Sequence, residues 1–182
     1  MKKAICIIFL LSCFVDGRTQ SCSYAGGPCQ SGLQNPTPLA IKAVGDVCSV
    51  LGIRYITIYQ GNVPNACASV YMGMPIISYN YRFLNYLSAQ NSWAPVSVIA
   101  HEVGHHFNAD ATMLGAFKHP WSKELKADFI SGYALYKLGA SLSDAQSAFQ
   151  VMFDWYGSAT HPDTPRRMAA LEQGWLQASN GF

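Results

Sequence analysis

Five residues constrain this chain more than any others: His101-Glu102-Val103-Gly104-His105. On an α-helix, residues four apart are separated by about 400°, so His105 returns to within about 40° of His101. Both imidazoles then leave the same face, and the fold must supply something that two rings can share. One metal ion does this, and Glu102 falls beside it, able to take a proton from a water that the metal activates. The chain of 182 residues holds five histidines. At this composition, shuffling would produce the pattern in roughly two chains per thousand.

The flanking residues read as a helix. Pro95 suits its first turn, and Ser92 is a candidate cap before it. With His101 at 0°, Val96, Ile99, Val103 and Phe107 gather at about 160–240°. The apolar stripe lies opposite the histidine face. A surface helix with incidental histidines is the alternative, and it fits poorly with a segment so low in charge.

A catalytic zinc takes three protein ligands and keeps a fourth position for water. A longer motif would place a third histidine at position 111, but Asn108 and Ala111 rule that out. Glu124 is the best candidate. It shares a helix face with Asp128, four residues on, while Lys123, Lys126 and Lys137 lie at about 200–260° from it. The lysines mark the solvent face, so the acids point inward; solvated acids are the competing reading. Glu124 is therefore expected on the metal. Asp128 is expected behind it, holding a ligand imidazole or a basic neighbour. A third cluster is Thr160-His161-Pro162-Asp163-Thr164-Pro165-Arg166-Arg167, a turn leading into a helix. His161 either reaches the open side of the metal, where it would steady an oxyanion or cap a resting site, or simply caps the last helix.

These three clusters, His101 to His106, Lys123 to Leu135 and Thr160 to Leu171, resemble in kind and order the motifs of the M48-type zinc metallopeptidases, a gluzincin branch. That family has the two-histidine motif, a later helix with Glu-x-x-Ala-Asp, and a downstream His-Pro with an arginine six residues after the histidine. The run Gly132 to Ala140 is similar to its small exported bacterial members, and the likeness spans about residues 60 to 175. It implies one Zn2+ held by His101, His105 and Glu124, with Glu102 as general base in peptide-bond hydrolysis. The downstream part of the pattern falls on His161, Pro162 and Arg167; His161 is a candidate to hold the oxyanion with the zinc, and Asp128 and Arg167 are expected to stand behind the ligands. Asn65-Ala66 fits the strand that lines the substrate. The chain has no run matching the family's transmembrane helices, so membrane-embedded substrates are not expected.

Half of the residues are hydrophobic and 12% are charged, which marks a globular chain. Its length suits one domain. The net charge is +2, and no basic patch suggests nucleic acid. Two lysines and about ten apolar residues at the N-terminus look like a secretory signal, too short to span a bilayer. Cleavage after Gly17 would leave a chain starting at residue 18. Alternatively, Leu10-Leu11-Ser12-Cys13 is similar to a lipobox that would make residues 1–12 the signal and anchor a lipidated Cys13 in a membrane. A buried N-terminal strand is the remaining alternative. An exported protein would then hold Cys22, Cys29, Cys48 and Cys67, enough for two disulfides; the short Gly-rich loop favours Cys22–Cys29 and Cys48–Cys67.

The expected architecture is α+β, a compact gluzincin-like domain with a small sheet packed on helices. Residues 18–37 read as an irregular, disulfide-bearing lead-in and 38–182 as the metallopeptidase domain. Helices are expected at 38–51, 81–90, 95–107, 118–138, 143–155 and 165–177, and strands at 54–59, 66–72 and 76–79. The four tryptophans read as core. The expected function is zinc-dependent cleavage of extended or unfolded envelope proteins. An envelope quality-control or assembly factor with little hydrolysis is the alternative, and a zinc amidase is a weaker one.

Overall fold

The computed structural model describes residues 29–181. The candidate signal, Cys13, Cys22 and most of the lead-in lie outside them. Helix α1 (Pro38–Val50) opens where the Thr37 side chain accepts from the Ala40 amide and Pro38 supplies a preset φ. Strands β1 (Thr57–Gln60), β2 (Ala66–Tyr71) and β3 (Met74–Tyr79) then form one sheet in the order β1-β3-β2. β1 runs parallel to β3 and β2 antiparallel to it. Met72 and Gly73, with φ of 49° and 78°, make the two-residue turn between β2 and β3. Two positive φ values define the I′ turn, whose twist suits a hairpin. The register pairs Tyr71 with Met74, so Tyr71, Ser69 and Cys67 bond inward to β3. Ala66, Ala68 and Val70 therefore turn their backbone groups to the outer edge.

Helices α2 (Tyr81–Gln90), α3 (Ala94–Phe107), α4 (Pro120–Lys137), α5 (Leu142–Ala145), α6 (Ser147–Val151) and α7 (Thr164–Ser179) complete the fold, with a 3₁₀ turn at Met113–Phe117. α3 is its axis. It touches α1, α2, α4 and the sheet, and it is buried from Ala94 to His105 at every position except Val96. The incidental surface helix is thus excluded. A Cβ on Gly104 would meet the Ala127 carbonyl at 2.7 Å, so glycine there lets α3 lie directly against α4. The same device recurs where Gly132 and Gly174 let α4 and α7 touch backbone to backbone. These two close crossings bring α3, α4 and α7 together at one point.

Several expectations need correction. Asn91, not Ser92, receives the amide at the start of α3: its side chain accepts from Trp93 N at 2.7 Å. Phe107 is exposed rather than part of the packed stripe. β1 begins at Thr57 rather than Arg54, because its partner β3 offers pairing only from Ile76. The helix expected over 143–155 splits into α5 and α6 and ends at Val151. Beyond it, Asp154 and Thr164 exchange backbone and side-chain bonds that pull the chain across to α7. Trp155 is 69% exposed and is no core residue.

The disulfide joins Cys29 to Cys67, replacing both favoured pairings. Side-chain alternation on β2 is the reason. Ala66 faces the main core, whereas Cys67 faces the opposite side, where the lead-in crosses with Cys29 and Val63. Cys48 sits in the main core on α1 as a free thiol, and burial raises its pKa. Among the described residues, no helix is long and apolar enough to cross a membrane.

Candidate metal centre

The three donors expected from sequence meet at one point. His101 Nε2 lies 3.0 Å from His105 Nε2. Glu124 reaches them from α4, with Oε2 3.5 Å from His101 Nε2 and Oε1 3.5 Å from His105 Nε2. Two donors bound about 2.0–2.1 Å from one tetrahedral ion stand about 3.3 Å apart. The two nitrogens stand close to that spacing, each has a different Glu124 oxygen close to it as well, and the trio could hold a metal ion.

The outer nitrogens explain why the inner ones face each other. His101 Nδ1 meets Asp128 Oδ1 at 2.7 Å, and His105 Nδ1 meets Asp110 Oδ2 at 3.1 Å. A carboxylate only accepts here, so each Nδ1 donates, and each Nε2 is left directed at the shared point as the atom that can ligate. Two imidazole nitrogens and a carboxylate then share one buried point, an arrangement that favours positive charge there, carried by a proton or by a metal. Arg167 on α7 grips Asp128 from behind through Nε at 2.8 Å and Nη2 at 2.9 Å. Lys118 does the same for Asp110, at 2.7 Å.

The electrostatics agree. Burial alone would lower the His101 pKa, but the Asp128 charge and hydrogen bond, with help from Glu124, lift it to about 10. A site that holds a proton so firmly attracts a metal cation for the same reason. Burial pushes Glu124 upward, yet the two imidazoles and Arg167 more than reverse it and hold the carboxyl low, ready to ligate. Glu102 goes the other way: burial raises it despite both histidines.

Glu102 stands next to the trio, accepts a hydrogen bond from the Ala68 backbone on β2, and leaves Oε2 buried without a hydrogen-bond partner. Both it and His101 line a cleft with Asn65, Ala66, Phe83 and Phe149. The cavity volume is about 40 Å³, room for a water or two. His161 is buried close to Glu124, with Nε2 4.0 Å from Glu124 Oε2 and Nδ1 2.9 Å from Thr160 Oγ1. It does not cap α7; Asp163 does, accepting from the Arg166 amide.

The fold thus brings together His101, Glu102, His105, Glu124, Asp128, His161 and Arg167, all singled out from sequence. Sequence reasoning missed Asp110, Lys118 and the Ala68 amide. Asp110 is placed by the end of α3: Ala109 adopts φ 57°, and the Asp110 amide turns back to the His105 carbonyl at 2.9 Å. That Schellman-type ending favours glycine, so an alanine hid it. An acid just beyond a two-histidine helix was the available signal. Comparison of the chain with protein-family models, with curated proteins and with solved structures finds no match.

Proposed function

We propose that the chain is a zinc-dependent metalloendopeptidase of the M48 type, acting on extended or unfolded proteins. One observation carries the reading: three metal-competent donors converge on one buried point, with a buried Glu102 whose pKa is raised beside them. His101, His105 and Glu124 would hold the ion. When bound, zinc supplies a Lewis acid and lowers the pKa of a water toward about 7.

The remaining chemistry belongs to side chains. Glu102 Oε2 takes the proton of the attacking water and returns it to the leaving nitrogen; burial raises its pKa, which makes it a stronger base than an exposed carboxylate. The outer edge of β2 pairs with an extended chain, which gives affinity with little dependence on sequence. Phe83, Val98, Phe149 and Met152 line the cleft and favour an apolar side chain there. His161 faces the carbonyl oxygen as it gains charge. The Cys29–Cys67 disulfide fits an exported protein in an oxidising compartment.

The test is metal analysis of the purified protein, followed by degradation of an unfolded protein with and without a chelator. The expected result is one zinc per chain and chelator-sensitive cleavage. Glu102→Gln should retain the metal and lose about 10²–10⁴-fold in turnover. Normal turnover in that variant would remove Glu102 from the chemistry, and zinc binding without any cleavage would end the peptidase reading.

A further inference from the structure

Three observations meet on strand β2. Its outward backbone groups belong to Ala66, Ala68 and Val70, as the hairpin register requires. The Ala68 amide is bonded to Glu102. Two residues further along the same edge, the Val70 carbonyl accepts a hydrogen bond from the Gln30 side chain, Nε2 to O 2.8 Å. The apolar cleft opens at the other end of the strand, at Asn65 and Ala66.

The backbone that carries Gln30 is firmly held. The neighbouring Cys29 is 2% exposed, is disulfide-bonded to Cys67, and its carbonyl accepts from Ser78 Oγ at 2.5 Å. Asn62 N bonds the Ser31 carbonyl at 2.8 Å on the other side. The lead-in is thus clamped across the outer face of the sheet, and one amide side chain reaches round to the edge.

Resting on the reading that an extended chain pairs with β2, we infer that Gln30 ends the pairing edge and limits how many substrate residues pair with β2 on the Val70 side of the scissile bond. An incoming strand must displace the Gln30 amide before its own N–H can reach the Val70 carbonyl. From Ala68, level with Glu102, to Val70 is two residues, or about 6.6 Å. The favoured ligand is therefore a peptide with an apolar side chain for the cleft that pairs with β2 over no more than about two residues on the Gln30 side, any further residues leaving the edge there. Gln30 determines length; it does not touch the reacting atoms.

Binding, rather than cleavage, tests this. Peptides that share one apolar residue and grow one residue at a time at either end are titrated against zinc-loaded Glu102→Gln protein. The same titration is run with Gln30→Ala or Gln30→Glu added; Gln30 is exposed, so both should fold. In the Gln30 protein, affinity should stop rising after two residues at one end. In both Gln30 variants the third residue should add about fivefold, the worth of one hydrogen bond of about 1 kcal/mol. Identical length profiles with and without Gln30 overturn the inference even where hydrolysis is established. A profile that stops at two residues, in a protein whose Glu102 form hydrolyses nothing, supports the length limit while removing the peptidase reading. Failure of every peptide to bind overturns both.

Discussion

Asp110 offers the sharpest test of how the cage is held. Its carboxylate is fully buried between His105 Nδ1 at 3.1 Å and Lys118 Nζ at 2.7 Å. Substitution by asparagine keeps an acceptor for His105 Nδ1–H but removes the charge that makes the ring a stronger ligand. Substitution by alanine removes both and leaves that N–H buried. Changes of this kind cost metal affinity about 10- to 100-fold, so asparagine belongs near the lower figure and alanine near the upper, about 1.4 and 2.7 kcal/mol. The unsatisfied imidazole adds about 1–3 kcal/mol of lost stability in the alanine variant. Lys118 adds little, because its side chain is 30% exposed and also bonds the Asn108 carbonyl. Asp128 would be a poorer probe: its loss strands the Arg167 guanidinium in the interior, and about 3–5 kcal/mol of destabilisation would obscure any effect on metal. The assay is competition for zinc against a chromophoric chelator at fixed pH, with thermal unfolding of each metal-free protein alongside. An Asp110→Ala protein that binds zinc within twofold of the parent would refute the orienting role.

Three further outcomes follow from the same geometry. In the metal-free protein the Glu102 carboxyl ionises later than in the unfolded chain, because burial raises it. The folded state then binds more protons between the ordinary carboxylate range and the raised value, so stability falls as pH rises through that window. Glu102→Gln should abolish this contribution and become progressively more stable than the parent as pH increases; parallel stability–pH curves would contradict it. Zinc uptake should release protons, since His101 stays protonated to about 10 without metal and must lose that proton to ligate; calorimetry in buffers of different ionisation enthalpy measures the number, and none released would count against His101 as a ligand. Ala109→Gly should stabilise the protein by about 1 kcal/mol, raising Tm by about 2–4 °C, because φ at that residue is 57°.

Much of the site was legible because helical periodicity is local. The spacing of His101, Glu102 and His105 and the opposition of Glu124 to three lysines fix which face each residue occupies before any tertiary contact forms. Conditions set by distant partners were not legible. Nothing local says that Cys67 meets Cys29, since that depends on which face of β2 the lead-in covers. The early end of the segment at Val151 goes with the Asp154–Thr164 exchange, a contact with a residue ten further along the chain. Asp110 depends on an alanine accepting a backbone conformation that alanines avoid. Periodicity in α3 marks one packed face, whereas burial of the opposite face follows from Gly104 admitting α4, a tertiary contact with no local signal.

Burial of both faces raises the question of how the interior tolerates so much charge. Glu102, Asp110, Glu124 and Asp128 are all buried around the imidazoles, and the cations that face them are Arg167 and Lys118. Four carboxylates against two cations leave two negative charges, the deficit that one divalent ion removes. Without metal, protons on His101 and Glu102 bring the same cluster to neutrality, which is the direction in which both groups are displaced. A buried cluster left with two uncompensated charges would cost many kcal/mol. The sequence therefore encodes two neutral states of one cavity, one closed by protons on His101 and Glu102 and one by a divalent metal, so that metal uptake and proton release are two sides of one exchange.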